Sequence, residues 1–173
     1  MAFTLYAATI PSYLQLLGSV ARMIDKAETF CADTGLAPEA LIEARLIDDM
    51  LPLAYQVKST AVHSLGAIKG VRRGTFSPDN TTPPDSFDGL RALIAGTITD
   101  LGAIDPDEVE SFVGRDIRFE FGSNHRDFLA EEFLLSFSQP NFYFHTATAY
   151  DILRMKGIEL GKRDFIGQVR TKV

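Results

Sequence analysis

Residues 129 to 158, LAEEFLLSFSQPNFYFHTATAYDILRMKGI, constrain the fold more than any other stretch, because they read as a long buried helix with polar side chains on its apolar side. Pro140 suits the first turn of a helix, where its fixed φ fits and its missing N–H would be unpaired anyway; Ser138 or Gln139 would be the cap. Winding residues 141 to 156 at the α-helical period sets Phe142, Phe144, Ala149, Ile152, Leu153 and Met155 along one wide arc. Thr146, Tyr150, Asp151 and Arg154 fall mostly opposite. Asn141 and His145 lie one turn apart near the middle of the apolar arc. Such a pair requires partners, since an unsatisfied buried amide or imidazole costs roughly 1 to 3 kcal/mol. Two arrangements supply them: an interhelical hydrogen bond, or a ligand pocket between helices.

Three further helices are expected upstream. The first spans residues 9 to 31, with Thr9 as cap, Pro11 in the first turn, and Tyr13, Leu16, Val20, Met23, Ala27 and Phe30 on one face; Gly35 and Pro38 stop it. The second runs from about Leu46 to Lys69, interrupted only by Pro52 and closed by Gly70. It carries Asp49, Gln56, Thr60 and His63 on one stripe, and Leu51, Val62 and Leu65 on the other side with Lys58 and Lys69. Because lysine is rarely buried unpaired, the polar stripe is placed inward and the lysines outward. That leaves Leu51, Val62 and Leu65 as a self-association face, hence an expected homodimer. Residues 71 to 85 form a long crossing connection, and Ser86 caps a third helix to about Leu101.

Asp105-Pro106 begins a short turn or helix. Ile117, Phe119 and Phe121 alternate with Arg118 and Glu120 before Gly122-Ser123-Asn124, which reads as a small β-hairpin with His125 solvated at its turn. The last helix is expected to be kinked or broken at Pro140 and to end at Gly157. In the tail, Lys162-Arg163-Asp164 reads as an exposed loop with local ion pairs, and Phe165 and Ile166 pack back onto the helices.

At 173 residues the chain fits a single domain, residues 1 to 173, and its formal charge of −6 offers no basic footprint for nucleic acid. No apolar run approaches a membrane span, and the N-terminus reads as an amphipathic helix start rather than a signal peptide. The single cysteine, Cys31, excludes an internal disulfide and fits a cytoplasmic protein. Phosphate loops, HExxH and GxSxG are missing from the sequence. A three-histidine metal site would need His63, His125 and His145 together, with His125 in the hairpin turn.

EARLIDDMLPLAYQV and SQPNFYFHTATAYDILRMKGIELGKRDFIG resemble the domain-of-unknown-function 1993 family, PNFYFH and LGKRDFIG being the most specific strings. The resemblance extends over essentially the whole chain. It implies an all-α fold: a DinB-like, up-down-down-up four-helix bundle, here with a small β-hairpin before the last helix. It also brings in a superfamily of metal-dependent thiol transferases and stress-associated proteins, whose metal sites take one histidine from helix 2 and two, one turn apart, from helix 4. Counting back from Leu153-Arg154 and Gly157 reaches His145 and Asn141; counting back from Gly70 reaches Gln56.

The resemblance thus puts Gln56, Asn141 and His145 where the superfamily has three histidines. Neutral amides are poor ligands for divalent transition metals, so no metal or other cofactor is expected. The expected function is a metal-free pocket between helices 2 and 4 for a small polar or amphipathic molecule, with Gln56 and Asn141 as hydrogen-bonders and His145 as an acid/base. His63, Asp49 and Thr60 share the stripe. A dimeric non-enzymatic scaffold or stress protein, and a metal-dependent transferase or hydrolase recruiting His63 or Asp49, stand beside it as alternatives.

Overall fold

A computed structural model describes residues 3 to 172 as mostly helical with a small three-stranded sheet. Helix α1 (Leu5–Thr34) begins one turn earlier than its Thr9 and Pro11 imply. Thr4 caps it, accepting a hydrogen bond from the Ala7 N–H, and the Glu110 carboxylate accepts from the N–H groups of Leu5 and Tyr6 at 3.2 and 2.8 Å. Those partners satisfy first-turn donors that would otherwise be orphaned, and favour an acid at the positive end of the helix. Thr9 is buried and donates to the Leu5 carbonyl instead of capping, while Pro11 lies inside the helix. Gly35, with φ 69°, closes α1 in the left-handed conformation expected of a glycine stop.

After the short α2 (Glu39–Ile42), residues 43 to 52 are not helical, so α3 (Leu53–Ala61) starts later than the expected Leu46. Pro52 is the reason: it has no N–H to donate, its ring would meet the carbonyl of Asp48, and it disfavours helical backbone at Leu51. Asp49 is therefore exposed in this connection, off the stripe assigned to it. From α3 the helix continues through a wide π-type turn, Val62–Gly66, into α4 (Ala67–Arg73). It closes at Gly74, φ 76°, and not at Gly70. Gly70 serves close approach, since a Cβ there would lie 3.0 Å from the Phe76 ring.

Burial also departs from the stripe model. Lys58 points into the structure with only 6% of its side chain exposed, its charge met by Asp79. Leu65 is buried and Leu51 precedes the helix, so Leu51, Val62 and Leu65 form no common outer face.

Strand β1 (Thr75–Phe76) pairs in parallel with β2 (Asp116–Phe121), an addition to the hairpin expected from the alternation. Helix α5 (Phe87–Gly102) follows its Ser86 cap, and α6 (Pro106–Glu110) its Asp105 cap with Pro106 in the first turn. β2 pairs antiparallel with β3 (Asn124–Leu129), and His125 is exposed opposite Glu120.

The last long helix is unbroken. α7 (Ala130–Glu132) passes through a second π-type turn, Phe133–Ser138, into α8 (Gln139–Met155). The wider turn gives the Pro140 ring room beside the carbonyls of the preceding turn, where regular α-helical packing would clash. Ser138 and Gln139 keep helical backbone and do not cap; their side chains reach the carbonyls of His63 and Ala8. α8 is also rotated from the expected arc. Phe144 and Met155 are exposed and Thr146 is buried, its hydroxyl on the Phe142 carbonyl. The tail forms α9 (Lys162–Ile166), where Asp164 pairs with Lys26 and Phe165 lies against Tyr150.

Helix α1 lies against α5 and α8, and α3 lies against the same two helices. One buried cluster runs through all four, from Leu5 to Leu160. Among the described residues no helix is long and apolar enough to cross a membrane.

Candidate functional site

The α3–α8 contact carries a hydrogen-bond chain that sets the state of its histidines. The Gln56 amide donates from Nε2 to the Leu51 carbonyl at 2.8 Å, a group that can only accept, and this orients Oε1 toward His145. His145 Nδ1 lies 2.7 Å from Oε1, so it must be the protonated ring nitrogen. That leaves a lone pair on Nε2. His63 follows the same logic less tightly. Ser138 donates its hydroxyl proton to the His63 carbonyl at 3.0 Å, so its oxygen is free to accept from His63 Nδ1 at 3.4 Å.

The two imidazoles stack, with ring centroids 5.6 Å apart and planes 18° from parallel. His145 therefore stands between Gln56 on one side and His63 on the other, which spans the two helical turns separating those residues. Desolvation disfavours the charged form of each ring. It lowers His145 to about 4 and, with the neighbouring His145 as a second cause, His63 to about 3. Both rings are uncharged at neutral pH.

A cavity of about 350 Å³ opens beside them, lined by both histidines and by Asn141. The β-sheet and the 76 to 79 segment supply its far wall: Phe76, Pro78, Asp79, Phe119 and Phe121, with Tyr55, Ser59, Val62 and Phe137 from the helices. The aromatic rings form a closed circuit. His63 lies 5.6 Å from Phe76, Phe76 6.3 Å from Phe119, Phe119 4.8 Å from Phe137, and Phe137 6.1 Å from His63. Tyr55 meets His145 edge-on at 6.0 Å.

Asp79 is held by a buried lysine. Lys58 Nζ donates to Asp79 Oδ1 and to the Asp79 carbonyl, each at 3.0 Å, and to the Thr81 carbonyl. Thr81 adds hydrogen bonds from its N–H and hydroxyl to the same Oδ1. Burial opposes ionisation of Asp79, but the bonds from Thr81 and Lys58 outweigh it and hold the carboxyl below its ordinary value.

Of the residues singled out from sequence, His63, Asn141 and His145 line the cavity and Gln56 stands behind His145. Asn141 gives its Nδ2 to the Phe137 carbonyl of its own helix at 2.8 Å. Thr60 is buried but turns its hydroxyl to the Val57 carbonyl, away from the lining, and Asp49 is exposed outside α3. The far wall was not visible as a site. Phe119 and Phe121 showed their alternation in the sequence, yet nothing local links them, or Phe76 and Asp79, to α3.

The donor set does not fit a catalytic divalent metal, which needs three protein ligands and an open position. Two imidazole Nε2 atoms are available. Gln56 Oε1 is taken by His145, and Asn141 offers only a neutral amide oxygen, a poor ligand for such an ion; the Asp79 carboxylate lines the same cavity but is not grouped with the two imidazoles at ligating distance. Among the described residues no group of three or more histidine, cysteine or acidic side chains is placed to hold an ion.

The fold places the chain among DinB-like proteins. A crystal structure of a DinB family member protein from Shewanella denitrificans matches it with a TM-score of 0.81 and 25% identity, covering 98% of this chain and 95% of that one. The model of the domain of unknown function DUF1993 matches residues 5–166, and the chain belongs to that family. A comparison with curated proteins finds no match.

Proposed function

We infer that this chain is a metal-free binding protein whose cavity between α3 and α8 holds a small organic molecule with an apolar body and a hydrogen-bond donor. The observation carrying this reading is the pair of stacked, uncharged imidazoles with Nδ1 protons committed to Gln56 and Ser138, leaving two Nε2 acceptors beside an aromatic cavity. The cavity lies within the usual range for ligand sites and has room for about a dozen heavy atoms at about 30 Å³ each. The reading takes the whole chain as one domain, with its four long helical segments as an up-down-down-up bundle. The mutual packing of α1, α3, α5 and α8 and the long connection before Ser86 support it.

Binding is favoured over catalysis by the basicity of the site. A general base works best with a pKa near the operating pH, and His145 at about 4 is far below neutrality. Gln56 then serves as the residue that orients His145, not as a ligand contact.

The test is histidine-ring ¹⁵N NMR of the full chain titrated with benzyl alcohol, an apolar ring bearing one donor. A saturable shift of the His145 and His63 Nε2 resonances, lost in Phe137→Trp where the added ring fills the cavity, is the expected result. Benzyl alcohol and its aminated analogue both leaving these resonances unmoved would overturn the pocket.

A further inference from the structure

The charge inventory of the cavity narrows the chemistry of what it takes. Asp79 is the one fully charged side chain among the described lining residues. Its Oδ1 accepts from Lys58 and Thr81, whereas Oδ2 receives no hydrogen bond from a described residue. Lys58 does not line the cavity; its ammonium donates to three oxygens, two of Asp79 and one of Thr81. Arg118 alternates with the lining residue Phe119 along β2 and pairs with Asp127 through two nitrogens. Arg126, the register partner of Phe119, is exposed and outside the lining.

An anion entering this space would meet a carboxylate and ring faces of negative quadrupole, and the nearest ammonium, Lys58, lies outside the lining with its donors already committed to Asp79 and Thr81. A cation meets the opposite situation: ring faces that attract it, a carboxylate oxygen without a partner, and two imidazole lone pairs that accept N–H donors. We propose that the cavity selects a small organic cation, a protonated primary or secondary amine on an apolar body, over neutral and anionic molecules of the same shape. This rests on the pocket reading above and adds the charge of the ligand to it. A quaternary ammonium would use the rings but leave both imidazole acceptors unmet, which is why an N–H-bearing cation is the better fit.

The experiment is isothermal titration calorimetry of the full chain at neutral pH with benzylamine, benzyl alcohol and benzoate, three molecules of one shape carrying positive, zero and negative charge. Benzylammonium is expected to bind about tenfold or more tightly than benzyl alcohol, the scale of a desolvated cation–ring contact, and benzoate more weakly than either. Asp79→Asn and, independently of the Lys58 contact, Phe119→Leu are expected to reduce the preference for the amine over the alcohol. Equal affinity for amine and alcohol, or tighter benzoate, overturns the cation assignment and leaves the pocket standing. Absence of binding by both amine and alcohol removes the pocket as well.

Discussion

Replacing His63 by phenylalanine should make the protein less sensitive to acid, by an amount that follows from where the ring sits. In the folded chain His63 is held to about 3 by burial and by its His145 neighbour, against 6.5 for a free imidazole. Between those values the unfolded chain binds a proton that the folded chain does not, so stability falls as pH falls from 6.5 toward 3 and is complete above 6.5. At pH ~4.5 the folded value has not yet been reached, and the gap of about two units at about 1.4 kcal/mol each gives about 3 kcal/mol.

Phenylalanine keeps a ring in the stack and forgoes only the long contact to Ser138, so near pH 8 the variant should lie within about 1 kcal/mol of wild type. On acidification His63→Phe should gain about 3 kcal/mol relative to wild type by pH ~4.5. Urea unfolding followed by far-UV circular dichroism at several pH values measures this difference directly. Carboxylate titrations common to both proteins cancel. If the two stability curves stay parallel from pH ~8 to ~4.5, His63 titrates alike in both states, and the dry, uncharged stack is refuted.

Three further substitutions probe other parts of the site. Gln56→Leu removes the acceptor that fixes His145 Nδ1–H and strands the Leu51 carbonyl. It should cost about 2 kcal/mol and convert the single His145 tautomer seen by ring ¹⁵N NMR into a mixture; an unchanged tautomer would show that Gln56 does not set it. Lys58→Met breaks a pair that is buried on one side and 38% exposed on the other, so a loss of about 2 kcal/mol is expected between surface and fully buried values. Faster hydrogen exchange at Thr81, whose N–H bonds Asp79, should accompany it, and unaltered exchange would count against the anchoring role. Gly70→Ala places a Cβ against the Phe76 ring and the Thr75 carbonyl and should lower stability by about 1 to 3 kcal/mol in thermal melts; a neutral result would mean β1 shifts freely off α4.

What could be read along the chain was whatever short-range chemistry dictates. Ser86, Asp105 with Pro106, and the alternation around Gly122 each announce an element within a few residues, and each appears in place. The need of His145 for a partner was also legible, because a polar residue amid apolar helical neighbours requires one; Gln56 stood out through its polar stripe and the family resemblance. Asp49 failed because the helical pattern was carried across Pro52, whose backbone constraint overrides side-chain periodicity. Lys58 failed because its partner, Asp79, lies on a connection with no periodic pattern to place it. Phe76 was hidden for the same reason: a two-residue strand becomes a strand only through β2, which comes much later in sequence.

The wide turns at Val62–Gly66 and Phe133–Ser138 bear on how this chain should be aligned with others. Such a turn adds a residue without adding a step of regular α-helix, and one residue of offset swings everything beyond it by about 100°. Two homologous helices can therefore agree in length from a shared glycine and still present different side chains to the same space. Correspondence at this site is better judged by which atom faces Tyr55 and Phe137 than by distance along the chain from Gly70, a count that crosses Val62–Gly66.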